Sequence, residues 1–194
     1  GELDVEKLAA NASRETLASL HAAPIPSGRY RVIIDRKAMT ALLATFSSVF
    51  SAEVAQKELS LLKGKLGEKV AADCVTIVDD PLLPDGHSSR PFDAEGVPSA
   101  KHVVVDGGTF QTFLHNLKTA HKDGVVSTGN AGRGGYAASV RVTPSNFFIE
   151  PGQDDLATLM QNVGDGVVIT EVSGLHAGAK TGSGDFSLPS AGYA

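Results

Sequence analysis

His102-Val-Val-Val-Asp-Gly-Gly-Thr-Phe-Gln-Thr-Phe-Leu114 decides the fold class of this chain. A β-branched run, His102 to Val105, is followed by a Gly107-Gly108 turn and a second run, Phe110 to Leu114. Two such runs around a Gly-Gly turn predict an antiparallel hairpin. Downstream, Val140–Thr143, Phe147–Glu150 and Val167–Val172 also read as strands, and a last strand is expected around Phe186. Upstream, Cys74–Val78 reads as a strand and Tyr30–Ile34 as a shorter one.

The helices lie mostly before the hairpin. Asp4–His21 carries a ragged apolar stripe of Val5, Leu8, Ala9, Ala12, Leu17 and Leu20. Pro24, Pro26 and Gly28 then break it, which predicts a leader helix and linker over residues 1–24 and a main domain over 25–194. In Arg36–Phe50, Ala38, Met39, Leu42, Leu43, Phe46, Val49 and Phe50 share one face. Asp35 is placed to cap that helix, because its carboxylate can accept the free N–H groups of the first turn. Ser51 opens a second helix that reads through to Leu62 and ends at Gly64 and Gly67. Asp154–Val163 reads as a short helix with Leu156, Leu159, Met160 and Val163 turned inward. No βαβ alternation is present. The order predicts an α+β domain: a curved, mainly antiparallel sheet or barrel-like arrangement with a few packed helices.

Composition narrows the function classes. The chain has 194 residues, 42% of them hydrophobic, enough for a real core. Its net charge is −5, and the densest basic run, Lys57–Lys69, is interleaved with Glu58 and Glu68. Binding to nucleic acid needs a basic face, so direct contact with DNA or RNA is disfavoured. One cysteine excludes an internal disulfide and fits a reducing, cytoplasmic setting. No apolar run approaches a membrane span, and the N-terminus carries no signal-peptide core. The Asn11-Ala12-Ser13 sequon is therefore read as incidental, and Gly1 as an added residue.

No motif in the chain announces catalysis. H-E-x-x-H is absent, and six histidines stand apart from one another. His115 and His121 share one face only if they lie on a strand, and two imidazoles lack the third ligand that zinc requires. Both read as surface or hairpin residues. Asp79, Asp80, Asp85, Asp93 and Glu95 crowd a proline-rich segment. They could hold a hard cation, but match no calcium loop and read better as turn formers. Gly129–Gly135 could cradle an anion with Arg133, could be a flexible connection, or could hold an extended peptide beside a sheet edge. Cys74 reads as a buried, inert thiol within its strand.

Six blocks carry a resemblance: FSAEVAQKELSLLKGKLGEKVA (50–71), DDPLLPDGHSSRPFDAEGVP (79–98), TFLHNLKTA (112–120), STGNAGRGGY (127–136), SNFFIEPG (145–152) and GLHAGAKTGSGDFSL (174–188). Together, in this order, they resemble the C-terminal domain of the TldD/PmbA family over residues 25–194, truncated at both ends. Members of that family are linked to proteolysis and peptide maturation, and some are called modulators of DNA gyrase.

The resemblance implies a complex of two related subunits. The TldD type holds zinc through a helical H-E-x-x-x-H and a cysteine of the C-terminal domain. That cysteine aligns with Gly174 by the shared S-G-D-F ending, and Leu175-His176 is similar to the PmbA type, also called TldE, which lacks the zinc set.

The implied role is the non-zinc subunit of a two-subunit metalloprotease, with no cofactor of its own and zinc on a TldD-type partner. It would help form a chamber for unfolded peptide. The candidate groove residues are Ser127, Thr128, Gly129, Asn130, Arg133, His176 and Asp185. His176 is expected to be a hydrogen-bonded loop histidine rather than a ligand. Two other readings stand: a self-associating (homodimeric) peptide-binding module without a catalytic role, and a modulator of DNA gyrase acting by direct contact.

Overall fold

Short strands, rather than long ones, organise the chain. The structure is a computed structural model that describes residues 4–20 and 22–194. Gly1 and His21, the expected end of the first helix, lie outside the described residues. The chain divides into two units, residues 1–30 and 31–194. In the first, α1 (Val5–Ser19) starts where the Asp4 carboxylate accepts the Lys7 N–H at 2.9 Å. Val5, Leu8, Leu17 and Leu20 are exposed.

The second unit opens with β1 (Val32–Ile34) and α2 (Arg36–Phe46). Asp35 caps α2 as expected, accepting from Lys37 N at 2.9 Å. The helix does not continue to residue 50. It tightens into a 3-10 turn at Ser47–Phe50, which sinks Val49 and Phe50 into the core. The second helix is one turn only, α3 (Ala52–Ala55). Glu58 adopts a left-handed conformation (φ 63°), with the Leu59 N–H reaching back to Val54 O, a Schellman-type stop.

Three separate sheets form, and none of those in the described residues closes into a barrel. The largest has the order β4-β3-β2-β7 and is wholly antiparallel: β2 is Ile77–Asp79, β3 His102–Asp106, β4 Thr109–Phe110 and β7 Phe147–Ile149. The second pairs β5 (Ala131–Gly132) with β6 (Arg141–Val142). The third is β1-β8-β9, with β8 Val167–Val172 and β9 Ser190–Tyr193. In it β1 and β8 run parallel, the exception in a mainly antiparallel α+β fold. Remaining helices are α4 (Leu117–Asp123), α5 (Leu156–Val163) and the single turn α6 (Leu175–Gly178).

The hairpin forms as read, but it is shorter. Past Phe110 the chain leaves β3 and bridges in parallel to Ser51 through Leu114. This turns Phe110, Phe113 and Leu114 into the core with Val49, Phe50, Leu62, Val104 and Val105. The rings of Phe110 and Phe113 stand edge to face at 4.8 Å, and Phe50 lies 6.1 Å from Phe110 and 5.4 Å from Phe147.

Three expectations need correcting. Cys74 is neither in a strand nor buried: β2 starts at Ile77, and Cys74 is exposed. Residues 70–75 instead wrap the Gly107-Gly108 turn, with Val70 and Ala71 N–H donating to Gly108 O and Gly108 N–H to Val75 O. The wrap is tight enough that a Cβ on Gly108 would meet Ala71 O at 2.4 Å. Helix α5 buries none of its residues, and Leu156, Leu159 and Met160 remain about 40% exposed. Phe186 makes only an isolated bridge with Ala179, and the last strand is β9.

Candidate functional site

The acidic, proline-rich segment and the glycine loop meet at a buried polar knot. At the end of β2, Asp79 is completely buried. One carboxylate oxygen accepts the Asn130 side-chain N–H at 2.6 Å. The other accepts Ser145 N–H at 2.6 Å and the Ser145 hydroxyl at 2.9 Å. Because a carboxylate only accepts, this contact fixes the Asn130 amide with its oxygen facing Thr128. The Thr128 hydroxyl then donates to Asn130 Oδ1 at 2.6 Å and accepts the His115 N–H at 2.6 Å.

His115 completes the clamp. Its carbonyl accepts from Asn130 N and from Ser127 Oγ. His102, on β3, donates from Nε2 to Thr128 O at 2.8 Å. Asp93 holds the other side, accepting from Ala131 N, Glu95 N and Val97 N, each at 2.9 Å. Six segments distant in sequence, around residues 79, 93, 102, 115, 127–131 and 145, are thus tied together, and exposure is at most 9% at Asp79, Asp93, His115, Thr128 and Asn130.

The electrostatics follow from burial. Desolvation pushes the Asp79 carboxyl above the usual carboxylate range, against the opposing pull of Asn130 and Ser145 and the weaker one of His102. The His115 imidazole is held below its usual range, again chiefly by burial. Asp123 and the Thr119 backbone pull the other way. Its Nδ1 is buried without a hydrogen-bond partner among the described residues.

Protonating His115 therefore costs more in the folded than in the unfolded chain. Stability should be intact above about pH 6.5, the unfolded value, and fall as pH drops from there through the lowered folded value. The slope should reach at most about 1.4 kcal/mol per pH unit in that window. His115→Leu should flatten the slope between pH 7 and 5.5 in urea melts; an unchanged slope would assign the titration to another group.

The expected groove residues separate into two sets. Ser127, Thr128, Gly129 and Asn130 belong to the knot. Thr128, Gly129 and Asn130 are buried, so the side chains of Thr128 and Asn130 serve the fold and line no surface. The loop is rigidly bonded up to β5 and becomes exposed only from Arg133 onward. His176 and Asp185 sit elsewhere, in the segment closed by the Ala179–Phe186 bridge and by Lys180 N–H donating to Asp185 O at 2.8 Å. That segment rests against α2 through a Phe46–Phe186 ring contact at 6.1 Å. No hydrogen bond among the described residues joins the two sets. His176 is exposed on α6, and its ring forms no hydrogen bond with a described residue, contrary to the expected bonded loop histidine.

Sequence reasoning missed Asp79, Asp93 and His115, all assigned to turns or surface. A usable signal was present: Asp79 ends the apolar run Val75–Val78, so an alternating strand was bound to carry it toward one face or the other.

Metal fits poorly. Among the described residues no three His, Cys, Asp or Glu side chains gather closely enough to hold an ion. No helix among them is long and apolar enough to cross a membrane.

Comparison with known proteins supplies the context. A sequence profile described as the PmbA/TldA metallopeptidase C-terminal domain matches residues 27–194. A metalloprotease of Methanothermobacter thermautotrophicus is 34% identical over 97% of this chain and 41% of its own length. Metalloprotease PmbA of Escherichia coli O157:H7 is 27% identical over 97% of this chain and 39% of its own. The crystal structure of a proposed modulator of a DNA gyrase from Thermotoga maritima superposes with a TM-score of 0.92 at 44% identity, covering 99% of this chain and 44% of that one. TldE from Thermococcus kodakarensis gives 0.81 at 29% identity, over 89% and 39%. The chain thus spans about two fifths of the length of these relatives.

Proposed function

Because the chain belongs to the PmbA/TldD metallopeptidase family, as its C-terminal domain, we propose that it is part of a PmbA-type (TldE) subunit that lines the peptide path of a two-subunit protease and supplies no metal ligand itself. The observation that carries this reading is the backbone at Gly174. This residue stands where the resemblance places the zinc-binding cysteine of the TldD type. It adopts the left-handed conformation, φ 67° and ψ 19°, that L side chains disfavour. Space is not the obstacle, since a Cβ there would make ordinary contact with Pro189 at 3.6 Å.

Under this reading zinc, if used, sits on a TldD-type partner, and no chemical step runs through residues of this chain. Its contribution is shape. The Asp79–Asn130 knot holds the start of the glycine loop, and Arg133 presents a cation just beyond it. The second segment presents His176 and Asp185. These three, with the half-buried Ser127, are the surviving proposals for peptide contact.

The test uses the full-length protein, alone and co-expressed with a TldD-type subunit. Zinc and peptidase activity should appear only in the pair. Gly174→Cys should leave the lone protein metal-free by elemental analysis and lower its stability by about 1–2 kcal/mol. Stoichiometric zinc with activity in the unpartnered protein would refute the accessory role.

A further inference from the structure

A cavity of about 190 Å³ opens between the 3-10 turn, α3 and β6, and shares no residue with the knot. Part of its lining is apolar: Leu114 is fully buried, and Val54 and Val142 stand beside it. The volume is below the roughly 300–1,000 Å³ of sites for drug-sized ligands, and suits a group of a few carbons.

Ser51 is the polar residue of this lining whose hydroxyl has no structural duty. It is the N-cap residue of α3, where a serine oxygen normally accepts a backbone N–H of the first turn. Here it makes no such bond, and no hydrogen bond among the described residues reaches its Oγ. Yet Ser51 is only 6% exposed. A hydroxyl taken out of bulk water and left unbonded is costly, so its natural partner is a group inside the cavity.

Three charged residues line the same space: Glu53, Lys57 and Arg141. Glu53 is already engaged. Its pairing with Lys57, at 2.7 Å, is the main reason its carboxyl is held below the usual range; desolvation opposes this, and the Val142 backbone and Arg141 add smaller pulls. Arg141 acts on Glu53 only through space, and no hydrogen bond or ion pair among the described residues engages its guanidinium. Setting the Lys57–Glu53 pair aside leaves one positive charge, one free hydroxyl and an apolar wall.

We propose that this cavity binds a small free monocarboxylate with a short aliphatic tail. The carboxylate accepts from Arg141 and from the Ser51 hydroxyl, and charge-assisted bonds of both kinds are strong. The tail lies on Leu114, Val54 and Val142. A cation finds no unpaired carboxylate here. A phosphate carries more charge than one guanidinium matches, and leaves the apolar wall bare. Arg141 also pairs with Gly132 at the foot of the exposed loop that starts at Arg133, so an occupant braces that loop. This inference goes beyond the accessory role and does not depend on it.

The experiment is a titration of the full-length protein with butyrate at constant ionic strength, followed by saturation-transfer NMR. A ligand of so few atoms should bind with a Kd on the order of 1 mM. Butyramide, of the same shape but uncharged, should bind about tenfold more weakly, and Arg141→Gln should cause a similar loss for butyrate. Ser51→Ala should weaken butyrate about fivefold with Tm unchanged, because the hydroxyl bonds nothing in the fold. Butyrate should slow amide exchange at Arg141 and Val142.

Equal binding of butyrate and butyramide, or no butyrate binding at about 50 mM, overturns the proposal. So does a fall in Tm on Ser51→Ala, which would give the hydroxyl a structural role. Binding should persist when a TldD-type subunit is added. Exclusion of butyrate by that subunit would give the pocket to an acidic side chain and overturn the free ligand. Failure of the accessory reading would show separately, as zinc in the unpartnered protein.

Discussion

Asp79→Ala should lower the stability of the 31–194 unit by about 3–4 kcal/mol, a fall of roughly 10 °C in Tm. The substitution leaves three donors without an acceptor: the Asn130 amide and the N–H and hydroxyl of Ser145. Each buried orphan costs about 1–3 kcal/mol, partly relieved where water can enter. The loss should be local as well as global. Asn130 fixes Thr128, which fixes His115, so hydrogen exchange should quicken first at residues 127–131.

Asp79→Asn separates charge from hydrogen bonding. Its amide oxygen can serve Ser145, but its nitrogen then faces the nitrogen of Asn130. The clash resolves if Asn130 flips, because Thr128 can accept from the flipped amide and from His115 N while donating to the His115 carbonyl, already 3.1 Å away. This variant should lose only about 1 kcal/mol.

The two variants also test the titration of Asp79. Its carboxyl pKa is raised in the folded chain, so the folded state binds its proton more tightly than the unfolded state. Stability from this group should be greatest below the unfolded value near 3.8 and fall as pH rises through the raised folded value. Asp79→Asn should remove that component. If Asn is as damaging as Ala in thermal melts, the relay through Asn130 and Thr128 is wrong.

Phe110→Ala should be the most damaging change in the core, costing about 3–5 kcal/mol. The ring is fully buried and meets both Phe50 and Phe113. It also sits on the short strand β4, whose continuation through Phe113 and Leu114 delivers His115 to the knot. Core and knot should therefore fail together: Phe110→Ala should speed exchange at residues 127–131 as well as in β3 and β4. Phe110→Leu, which keeps most of the volume, should cost less than about 2 kcal/mol. Equal losses for Ala and Leu in urea melts would mean that the ring contacts, not the filled volume, hold this part of the core.

Much of the fold was legible from local signals. The Gly107-Gly108 turn, the Asp35 cap and the runs at 147–149 and 167–172 each announce their element within a few residues. Errors arose where a long-range contact overrode a local pattern. The periodicity of Arg36–Phe50 is helical throughout, yet burial of Val49 and Phe50 tightens its last turn. Cys74 stands beside an apolar run, but wrapping the Gly108 turn pulls it out of the sheet. The apolar stripe of α5 is real, and the described fold leaves it partly exposed.

The candidate site divides in the same way. Residue identities alone determined the family blocks, the absence of a zinc motif and the glycine at position 174, because these depend on which side chains are present. Tertiary structure alone decided that Asp79, His115, Thr128 and Asn130 form one knot, and that Ser51 and Arg141 line one cavity. The reason is physical. A buried carboxylate and an exposed turn former are the same residue in sequence, and only the pairing of β2 with β3 and β7 removes Asp79 from water and obliges distant donors to meet it.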